Sequence, residues 1–317
     1  MIKFFAQVLY SLLYLLSLLP LKFLYVISDL ISFFLHGVFK YRIDVVYINL
    51  GRSFPNMKYK ELNKEVKKYY QYLSDMIVES IWCLSASPKR LKSIVEIKNP
   101  EFMHKQLSRD SNTIFVVGHS GNWEFLLVAI AAACDYMREN SSDYKEINPF
   151  YTAYKPAKSK LIDEMVKIMR ARRYNDLSIR GELVSSKKVA RKIFKSRTSV
   201  GSYGFIADQS PSSSDKFVVE FLNQPTHMIA GPEYLARKLK MGVTYMYMNR
   251  IKRGHYVVEY TEITDNAANE NEGFVITQFA KLLEKDIKSN PYNWLWSHKR
   301  WKREITEEDL NKINNLN

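Results

Sequence analysis

Cysteine is scarce in this chain, which contains only Cys83 and Cys134 among its 317 residues. Two cysteines are too few for a disulfide framework, and neither lies at a metal-ligand spacing from another Cys or His. Glycine (11) and proline (10) are also infrequent, and no segment repeats at a fixed period. These absences argue against fibrous, disordered and repeat architectures and favour a globular protein in a reducing compartment.

Acidic residues are the second deficit. The 33 Asp and Glu residues are outnumbered by 47 Lys and Arg, which leaves a formal net charge of +14. Between residues 155 and 197 the imbalance is 14 basic against 4 acidic residues. Such a surplus attracts anionic partners without identifying one. Nucleic acid, an anionic membrane, a phosphorylated lipid and an acidic protein all remain open, and so does a solvated helical face that has no partner.

The amino-terminal segment lacks charge over residues 4–19 and is apolar again over residues 23–39. A helix of the first run is about 24 Å long, shorter than the roughly 30 Å hydrocarbon core, so a tilted hairpin or an interfacial helix competes with a perpendicular span. No small-residue cleavage site follows, which disfavours a signal peptide. We predict an uncleaved membrane anchor over 1–40 and a catalytic domain over 41–317, kept cytoplasmic by the basic residues after the first run.

The remaining chain alternates between helical and strand patterns. Residues 59–84 have apolar positions at helical spacing, and residues 113–117 form a β-branched and aromatic run that is typical of a buried strand. Further helices are predicted over 125–134, 159–173, 185–194, 231–239 and 274–288, and further strands over 151–152, 200–207, 243–249 and 256–260. This alternation predicts an α/β fold with a mixed, largely parallel sheet flanked by helices.

A histidine and an acid occupy the turn after the predicted strand 113–117. His119 follows the strand, and Glu124 lies in the first turn of the next helix. Open α/β sheets bind ligands at the carboxyl ends of their strands. A neutral imidazole can take a proton from a hydroxyl near pH 7, and a carboxylate on its other ring nitrogen would fix the tautomer. The pattern therefore favours transfer of a group to an alcohol, with His119 as base and Glu124 as its partner.

The turn also has other interpretations. His119 can cap the turn while Glu124 merely complements the helix dipole. The run from Gly118 to Asn122 is close to the nucleophile elbow of serine hydrolases, but Asn122 stands where that motif requires glycine. A zinc site is not supported, because no second His or Cys lies at a ligand spacing nearby.

The turn and several other segments are similar to a known family. His119 followed by Asn122-Trp123-Glu124 resembles the His-x4-acid motif of the bacterial lipid A biosynthesis acyltransferases, which belong to the glycerolipid acyltransferase superfamily. Segments that resemble the family occur in the same order along almost the whole chain: Asn49-Leu50 with Phe54-Pro55, Tyr154-Lys155-Pro156, Arg170 with Arg172, Ala207-Asp208-Gln209, Phe221 to Pro225 with Gly231-Pro232, and Trp294 to Lys302.

Two positions depart from the family pattern. Lys155 stands where the family usually has arginine, so the positive charge is kept but the planar fork that binds phosphate or carboxylate is lost. Asn223 replaces the usual glycine, which leaves the backbone geometry of that loop open.

The resemblance implies a fold, a reaction and a location. The fold would be glycerolipid acyltransferase-like, and the reaction would move an acyl chain from an acyl carrier protein thioester to a hydroxyl of a phosphorylated glycolipid, a lipid A precursor. The protein would lie at the cytoplasmic face of a bacterial inner membrane. Neither a cofactor nor a metal is expected. Substrate contacts are expected from Asn122, Lys155, Arg170, Arg172 and Asp208, although Asp208 is expected mainly to order its turn.

The residues leave three alternatives. The same transfer can act on another membrane acceptor, such as an aminolipid, a glycophospholipid or a pigment alcohol. A basic membrane-binding protein without turnover is the second alternative. Nucleic-acid binding is disfavoured by the apolar leader and by the lack of a recognisable binding motif.

The aromatic and basic run over 294–301 fits either a membrane interface or the packing of a last helix in the core.

Overall fold

The computed structural model of the chain describes residues 1–195, 199–211 and 217–314. The helices are α1 (Ile2–Ser17), α2 (Leu21–Phe33), α3 (Ile43–Ser53), α4 (Tyr59–Trp82), α5 (Pro88–Lys92), α6 (Pro100–Leu107), α7 (Leu126–Asn140), α8 (Lys160–Asp176), α9 (Val189–Lys195), α10 (Gly231–Lys238), α11 (Phe274–Ser289) and α12 (Glu307–Asn314). The strands are β1 (Val95–Ile97), β2 (Thr113–Val117), β3 (Phe150–Tyr154), β4 (Gly181–Ser185), β5 (Ser202–Ile206), β6 (Val218–Phe221), β7 (Gln224–His227), β8 (Gly242–Lys252) and β9 (His255–Thr264).

Seven strands form one sheet in the order β1-β9-β8-β2-β5-β3-β4, and β6 and β7 form a separate antiparallel hairpin. Strands β8, β2, β5, β3 and β4 run parallel to one another, whereas β9 is antiparallel to β8 and carries β1 along its outer edge. The predicted α/β architecture with a largely parallel sheet is therefore confirmed.

Strand β2 lies at the centre of the molecule because both of its faces are covered. Ile114 and Val116 belong to the hydrophobic cluster on one face of the sheet, and Phe115 and Val117 belong to the cluster on the other face. All five residues of the strand are buried. A strand that is buried on both faces has a continuous apolar sequence rather than an alternating one, which explains the pattern of residues 113–117.

Several predicted elements needed correction. The helix predicted over 185–194 begins only at Val189, because residues 181–185 form strand β4. Strand β1 has three residues, too few for a periodic pattern, and was not predicted. Residues 294–301 form turns instead of a last helix, yet Trp294 and Trp296 are buried, so the core packing predicted for them is correct.

The loop that holds Asn223 is the tight turn between β6 and β7. Leu222 and Asn223 have φ values of 53° and 60°. Two consecutive positive φ values match the twist of a two-residue hairpin, and asparagine tolerates this conformation better than most residues. Asn223 also donates from Nδ2 to the Ser53 carbonyl at 2.9 Å. The turn thus keeps a hairpin geometry without the glycine that is usual in the family.

The two amino-terminal helices lie on the surface of the domain. Helix α2 continues through a π-helical turn, Phe34–Val38, and the resulting helix Leu21–Val38 is, among the described residues, the single one long and apolar enough to cross a membrane. Helix α1 is apolar but shorter. This finding supports an association of the amino-terminal segment with a membrane.

A change of Gly121, in the turn after β2, is expected to destabilise the fold. Gly121 has a φ of +59°, and a Cβ added there would lie 2.6 Å from the Met248 carbonyl oxygen. We expect Gly121→Ala to lower the free energy of unfolding by about 1–3 kcal/mol, measured by denaturant titration. Gly231→Ala is the matched control, because its Cβ would meet no atom within 4 Å. Equal stability of the two variants would contradict this account of the turn.

Candidate active site

His119 and Asp208 meet because they follow neighbouring strands. Strands β2 and β5 are parallel, and Val117 lies opposite Ile206. His119 is two residues after Val117, and Asp208 is two residues after Ile206. The Asp208 carboxylate accepts two hydrogen bonds from His119: ring Nδ1 lies 2.5 Å from Oδ1, and the backbone N–H lies 2.7 Å from Oδ2. The sheet register therefore places a carboxylate on the imidazole.

The Asp208 carboxylate is buried and fully engaged. Its exposed fraction is 2%, and Oδ2 also accepts the indole N–H of Trp294 at 2.7 Å. Burial alone would raise the pKa of Asp208, but attraction to His119 and the hydrogen bonds from His119 and Trp294 outweigh it and lower the pKa to about 2. Asp208 is therefore ionised at neutral pH and acts only as an acceptor.

An ionised Asp208 fixes the tautomer of His119. Because the carboxylate has no proton to donate, Nδ1 must carry the ring proton, and Nε2 of the neutral ring then has a free lone pair. The carboxamide nitrogen of Gln209 lies 3.2 Å from Nε2 and donates to it. The edge of the Trp123 ring packs against the imidazole, with ring centroids 4.8 Å apart. The imidazole is thus held on three sides.

A cavity of about 800 Å³ lies beside the imidazole. Its walls include apolar side chains from three elements, among them Leu126, Phe205 and Leu235. The polar side chains on its walls are His119, Gln209, Glu124, Lys155, Arg170 and Arg173, among others. A cavity of this size has room for a long apolar chain, and it presents a base and cations along the same surface.

Glu124 does not contact the imidazole, so the expected hydrogen bond between Glu124 and the His119 ring is wrong. The Glu124 carboxylate instead accepts two hydrogen bonds from the Arg170 guanidinium, one from Nε at 3.0 Å and one from Nη2 at 2.5 Å. The reason is topological, because the sheet brings Asp208 to the ring from the adjacent strand. Glu124 and Arg170 are both about one quarter exposed at the cavity.

Two of the residues expected to contact substrate are buried in the protein. Asn122 has no exposed surface; it donates to Glu79 Oε2 at 3.2 Å and accepts the backbone N–H of Glu124 at 3.3 Å. Its side chain therefore begins the short 3-10 turn Trp123–Phe125, which carries Glu124. The Asp208 oxygens accept hydrogen bonds from His119 and Trp294. The expectation of direct substrate contact through Asn122 is therefore corrected, whereas Asp208 orders its turn, as was mainly expected.

The basic residues divide between the cavity and the amino-terminal helices. Lys155 is exposed and lines the cavity together with Arg170. Arg172 points away from it and donates to the Tyr10 hydroxyl of α1 at 2.6 Å, with its guanidinium over the Tyr14 ring. Arg172 was expected to contact substrate, but in the structure it contacts helix α1 and does not line the cavity. Arg197, at the end of the basic stretch, lies outside the described residues.

The carboxyl-terminal segment packs against the turn that contains Asp208. Beyond the Trp294 contact with Asp208, the Asn49 amide donates to the carbonyls of Trp296 and His298 at 2.8 and 2.9 Å. His298 Nε2 accepts the backbone N–H of Ser210 at 3.1 Å, and burial lowers the pKa of His298 to about 4, so this ring is neutral at pH 7. Segments that are far apart in sequence therefore converge on the Asp208 turn.

Gln209 is the site residue that was not singled out from the sequence. The signal was present, since Ala207-Asp208-Gln209 follows a predicted strand, but only the pairing of β5 with β2 brings the amide to His119. Nowhere in the described ranges do three His, Cys, Asp or Glu side chains form a group that could hold a metal ion.

Comparison with known families gives one match. Residues 2–303 match the family described as bacterial lipid A biosynthesis acyltransferase. No curated protein matches the chain. The family match extends over nearly the whole chain, and it includes the amino-terminal helices, the His119 turn, the Asp208 turn and the Trp294 segment.

The low pKa of Asp208 predicts a pH-dependent contribution to stability. Its ordinary value of 3.8 is lowered to about 2 in the folded protein, so in that interval the unfolded chain binds more protons. The contribution is complete above about pH 4 and is lost as pH falls toward 2, with a magnitude on the order of 2 kcal/mol. We expect the stability difference between wild type and Asp208→Asn to be smaller at pH 3 than at pH 6, measured by urea unfolding.

Asp286 provides a control of opposite sign. Burial raises its pKa to about 6 despite a hydrogen bond from Tyr245. Ionisation of Asp286 therefore lowers the free energy of unfolding. We expect the free energy of unfolding of wild type to fall relative to that of Asp286→Asn as pH rises from about 4 to above 6. The same pH profile for both variants would contradict the electrostatic assignment of Asp208.

Proposed function

Because the chain belongs to the bacterial lipid A biosynthesis acyltransferase family, we propose that it transfers a fatty acyl chain from an acyl carrier protein thioester to a hydroxyl of a lipid A precursor. The observation that carries this proposal is the His119–Asp208 contact beside a cavity of about 800 Å³ with apolar walls. A base with a fixed tautomer activates an alcohol, and the cavity accommodates the chain that is transferred.

The proposed reaction is direct transfer without an acyl-enzyme. Nε2 of His119 takes the proton of the acceptor hydroxyl while the hydroxyl oxygen attacks the thioester carbonyl carbon. The resulting tetrahedral intermediate collapses by breaking the C–S bond, and the departing thiolate takes the proton back from Nε2. Asp208 holds the imidazole in orientation and stabilises the imidazolium between the two proton transfers.

Gln209 has a part in this scheme. In the structure its amide nitrogen occupies the hydrogen-bonding position of Nε2, at 3.2 Å. An acceptor hydroxyl must take that position, so the amide has to turn away from the ring toward the cavity that Gln209 also lines. There it is a donor for the oxygen of the thioester carbonyl, on which negative charge develops during attack.

Glu124, predicted as a catalytic residue, is proposed here as a positioning residue that acts through Arg170. Its carboxylate holds the Arg170 guanidinium at the cavity wall by two hydrogen bonds. Arg170 and Lys155, which line the same cavity, provide donors and positive charge for an anionic substrate group, such as a phosphate of the acceptor. We propose that Glu124 orients the Arg170 guanidinium for this contact.

The proposed substrates also fit the surface of the protein. The chain has a net charge of +14, and acyl carrier proteins are acidic, so the encounter with the donor is favoured electrostatically. The proposed acceptor is a membrane lipid, and the apolar amino-terminal helices support a position of the catalytic domain beside a membrane. The proposed location is the cytoplasmic face of the bacterial inner membrane.

An acceptor panel tests the proposed reaction. Purified protein is incubated with radiolabelled acyl-acyl carrier protein and, separately, with a lipid A precursor, an aminolipid and a glycophospholipid. We expect labelled product with the lipid A precursor and none with His119→Ala. A labelled product with another lipid would contradict the proposed acceptor but support acyl transfer. The absence of a labelled product with every lipid would contradict the proposed acyltransferase activity and favour a binding protein without turnover.

The contribution of Asp208 is tested by a conservative change. Asp208→Asn keeps the size of the side chain but allows the wrong imidazole tautomer, so we expect kcat to fall by roughly 10³-fold or more with KM little changed. Asp286→Asn is the matched control, because it removes a half-buried carboxylate that accepts a hydrogen bond from Tyr245 and forms none with His119. A value of kcat for Asp208→Asn within threefold of wild type would contradict the assigned role.

A further inference from the structure

Helix α2 is attached to the catalytic domain by polar contacts along its length. Tyr25 donates its hydroxyl to Glu79 Oε1 at 2.7 Å, and one turn later Ser28 donates to Asp75 Oδ1 at 2.5 Å. Asp75 and Glu79 belong to α4, and neither has exposed surface. Arg253 also donates from Nε to Asp75 Oδ2 at 2.9 Å. Other groups of the domain also bond these carboxylates, among them Arg250 for Asp75 and Tyr256 for Glu79, so the α2 hydroxyl groups join a buried hydrogen-bonded cluster.

The next residue of α2 is an acid. Asp29 forms an ion pair with Arg253, and its side chain is about half exposed. It lies in the middle of the apolar helix Leu21–Val38. If that helix crossed a bilayer, Asp29 would sit near the centre of the hydrocarbon, where an acidic side chain is strongly disfavoured. The charge is compatible with the surface of a membrane and not with its interior.

Helix α1 is also fixed to the domain by one face. Arg172 donates to the Tyr10 hydroxyl at 2.6 Å, and Ser85 donates its hydroxyl to the Ser17 carbonyl at 2.7 Å. Ala6 and Tyr10 are buried against the domain. The axis of α1 therefore follows the protein surface and does not project from it.

The opposite faces of both helices are apolar and exposed. Large side chains that are 42–67% exposed recur at helical spacing and form one exposed apolar stripe on each helix: Phe4, Val8, Leu12 and Leu15 on α1, and Phe23, Val26, Leu30 and Phe33 on α2. Exposed basic residues flank the two helices: Lys3, Lys22, Lys40 and Arg42. An apolar stripe bordered by cations matches the boundary between anionic headgroups and acyl chains.

We propose that α1 and α2 lie in the plane of an anionic membrane surface and do not cross it. The exposed apolar stripes enter the acyl region to a depth of about 5–10 Å, while the faces held by Glu79, Asp75 and Arg172 stay on the domain. A perpendicular α2 would have to leave α4 and break the Tyr25 and Ser28 hydrogen bonds. The in-plane arrangement keeps every one of these contacts.

This arrangement brings the membrane to the mouth of the active site. Leu84 lines the cavity, and the adjacent Ser85 holds the end of α1. On α8, Arg170 and Arg173 line the cavity while Arg172 holds α1. A lipid in the surface layer therefore meets the cavity without leaving the membrane. This consequence, unlike the orientation of the helices, rests on the proposed lipid acceptor.

Cysteine labelling at both ends of α2 tests the orientation. Lys22→Cys, Lys40→Cys and, as a marker on the catalytic domain, Lys60→Cys are placed singly in the full-length protein; all three positions are exposed and both native cysteines are buried. Right-side-out and inside-out membrane vesicles from expressing bacteria are treated with a membrane-impermeant maleimide. We expect all three positions to react in the same type of vesicle. Reaction of Lys22→Cys only in the opposite type would establish a span and overturn the proposal.

Depth measurement separates an embedded helix from one that merely touches the surface. Leu30→Cys, on the exposed apolar stripe of α2, carries an environment-sensitive fluorophore in vesicles that contain phosphatidylglycerol and lipids spin-labelled near the headgroup or near the chain end. We expect stronger quenching by the shallow label. Stronger quenching by the deep label, or none by either, would overturn the in-plane insertion.

The outcome is independent of catalysis. Both measurements are repeated with His119→Ala, which removes the proposed base and leaves α1 and α2 unchanged. The same labelling pattern is expected. If the acceptor panel fails while labelling succeeds, the proposed function is wrong and the membrane orientation stands; the converse result overturns only the orientation.

Discussion

The candidate active site depends on one contact between neighbouring strands, the hydrogen bond from His119 Nδ1 to Asp208. Strands β2 and β5 are parallel and in register, so the residues that follow them meet at the carboxyl edge of the sheet. The carboxylate is buried, yet attraction to His119 and the hydrogen bonds to it keep its pKa at about 2. A permanent acceptor on one ring nitrogen leaves the other nitrogen available for the proposed role as a base. The surrounding elements serve to hold this arrangement: Trp294 bonds the carboxylate, Trp123 packs on the ring, and Gln209 lies at Nε2.

The fold class could be predicted from the sequence, but the side chain that holds the His119 ring could not. The continuous apolar run of residues 113–117 predicted a strand, which is present, and a cavity lies beside the histidine that follows it. Glu124 was expected to hold the ring because it is close in sequence. Asp208 holds it because it is close across the sheet, and strand order is not encoded in any local pattern. The hairpin of β6 and β7 and the short strand β1 were missed for a related reason, since neither has enough residues to show a period.

The segments that resemble the lipid A biosynthesis acyltransferases are scattered in sequence but adjacent in space. Asn49 bonds the chain at Trp296 and His298, Trp294 bonds Asp208, and Asn122 bonds Glu79 of α4. Glu79 in turn accepts the Tyr25 hydroxyl of α2. A chain of hydrogen bonds thus connects helix α2 to the turn of His119 and Glu124. The family match extends over both of these regions.

The tautomer of His119 is the most direct test of the central contact. Protein labelled with ¹⁵N at its histidine rings, in detergent at neutral pH, is examined by NMR, and His119 is assigned by comparison with His119→Ala. We predict that Nδ1 carries a proton, with a strongly downfield proton signal that disappears in Asp208→Asn. A ring whose only proton is on Nε2, or a spectrum unchanged by Asp208→Asn, would contradict the central contact.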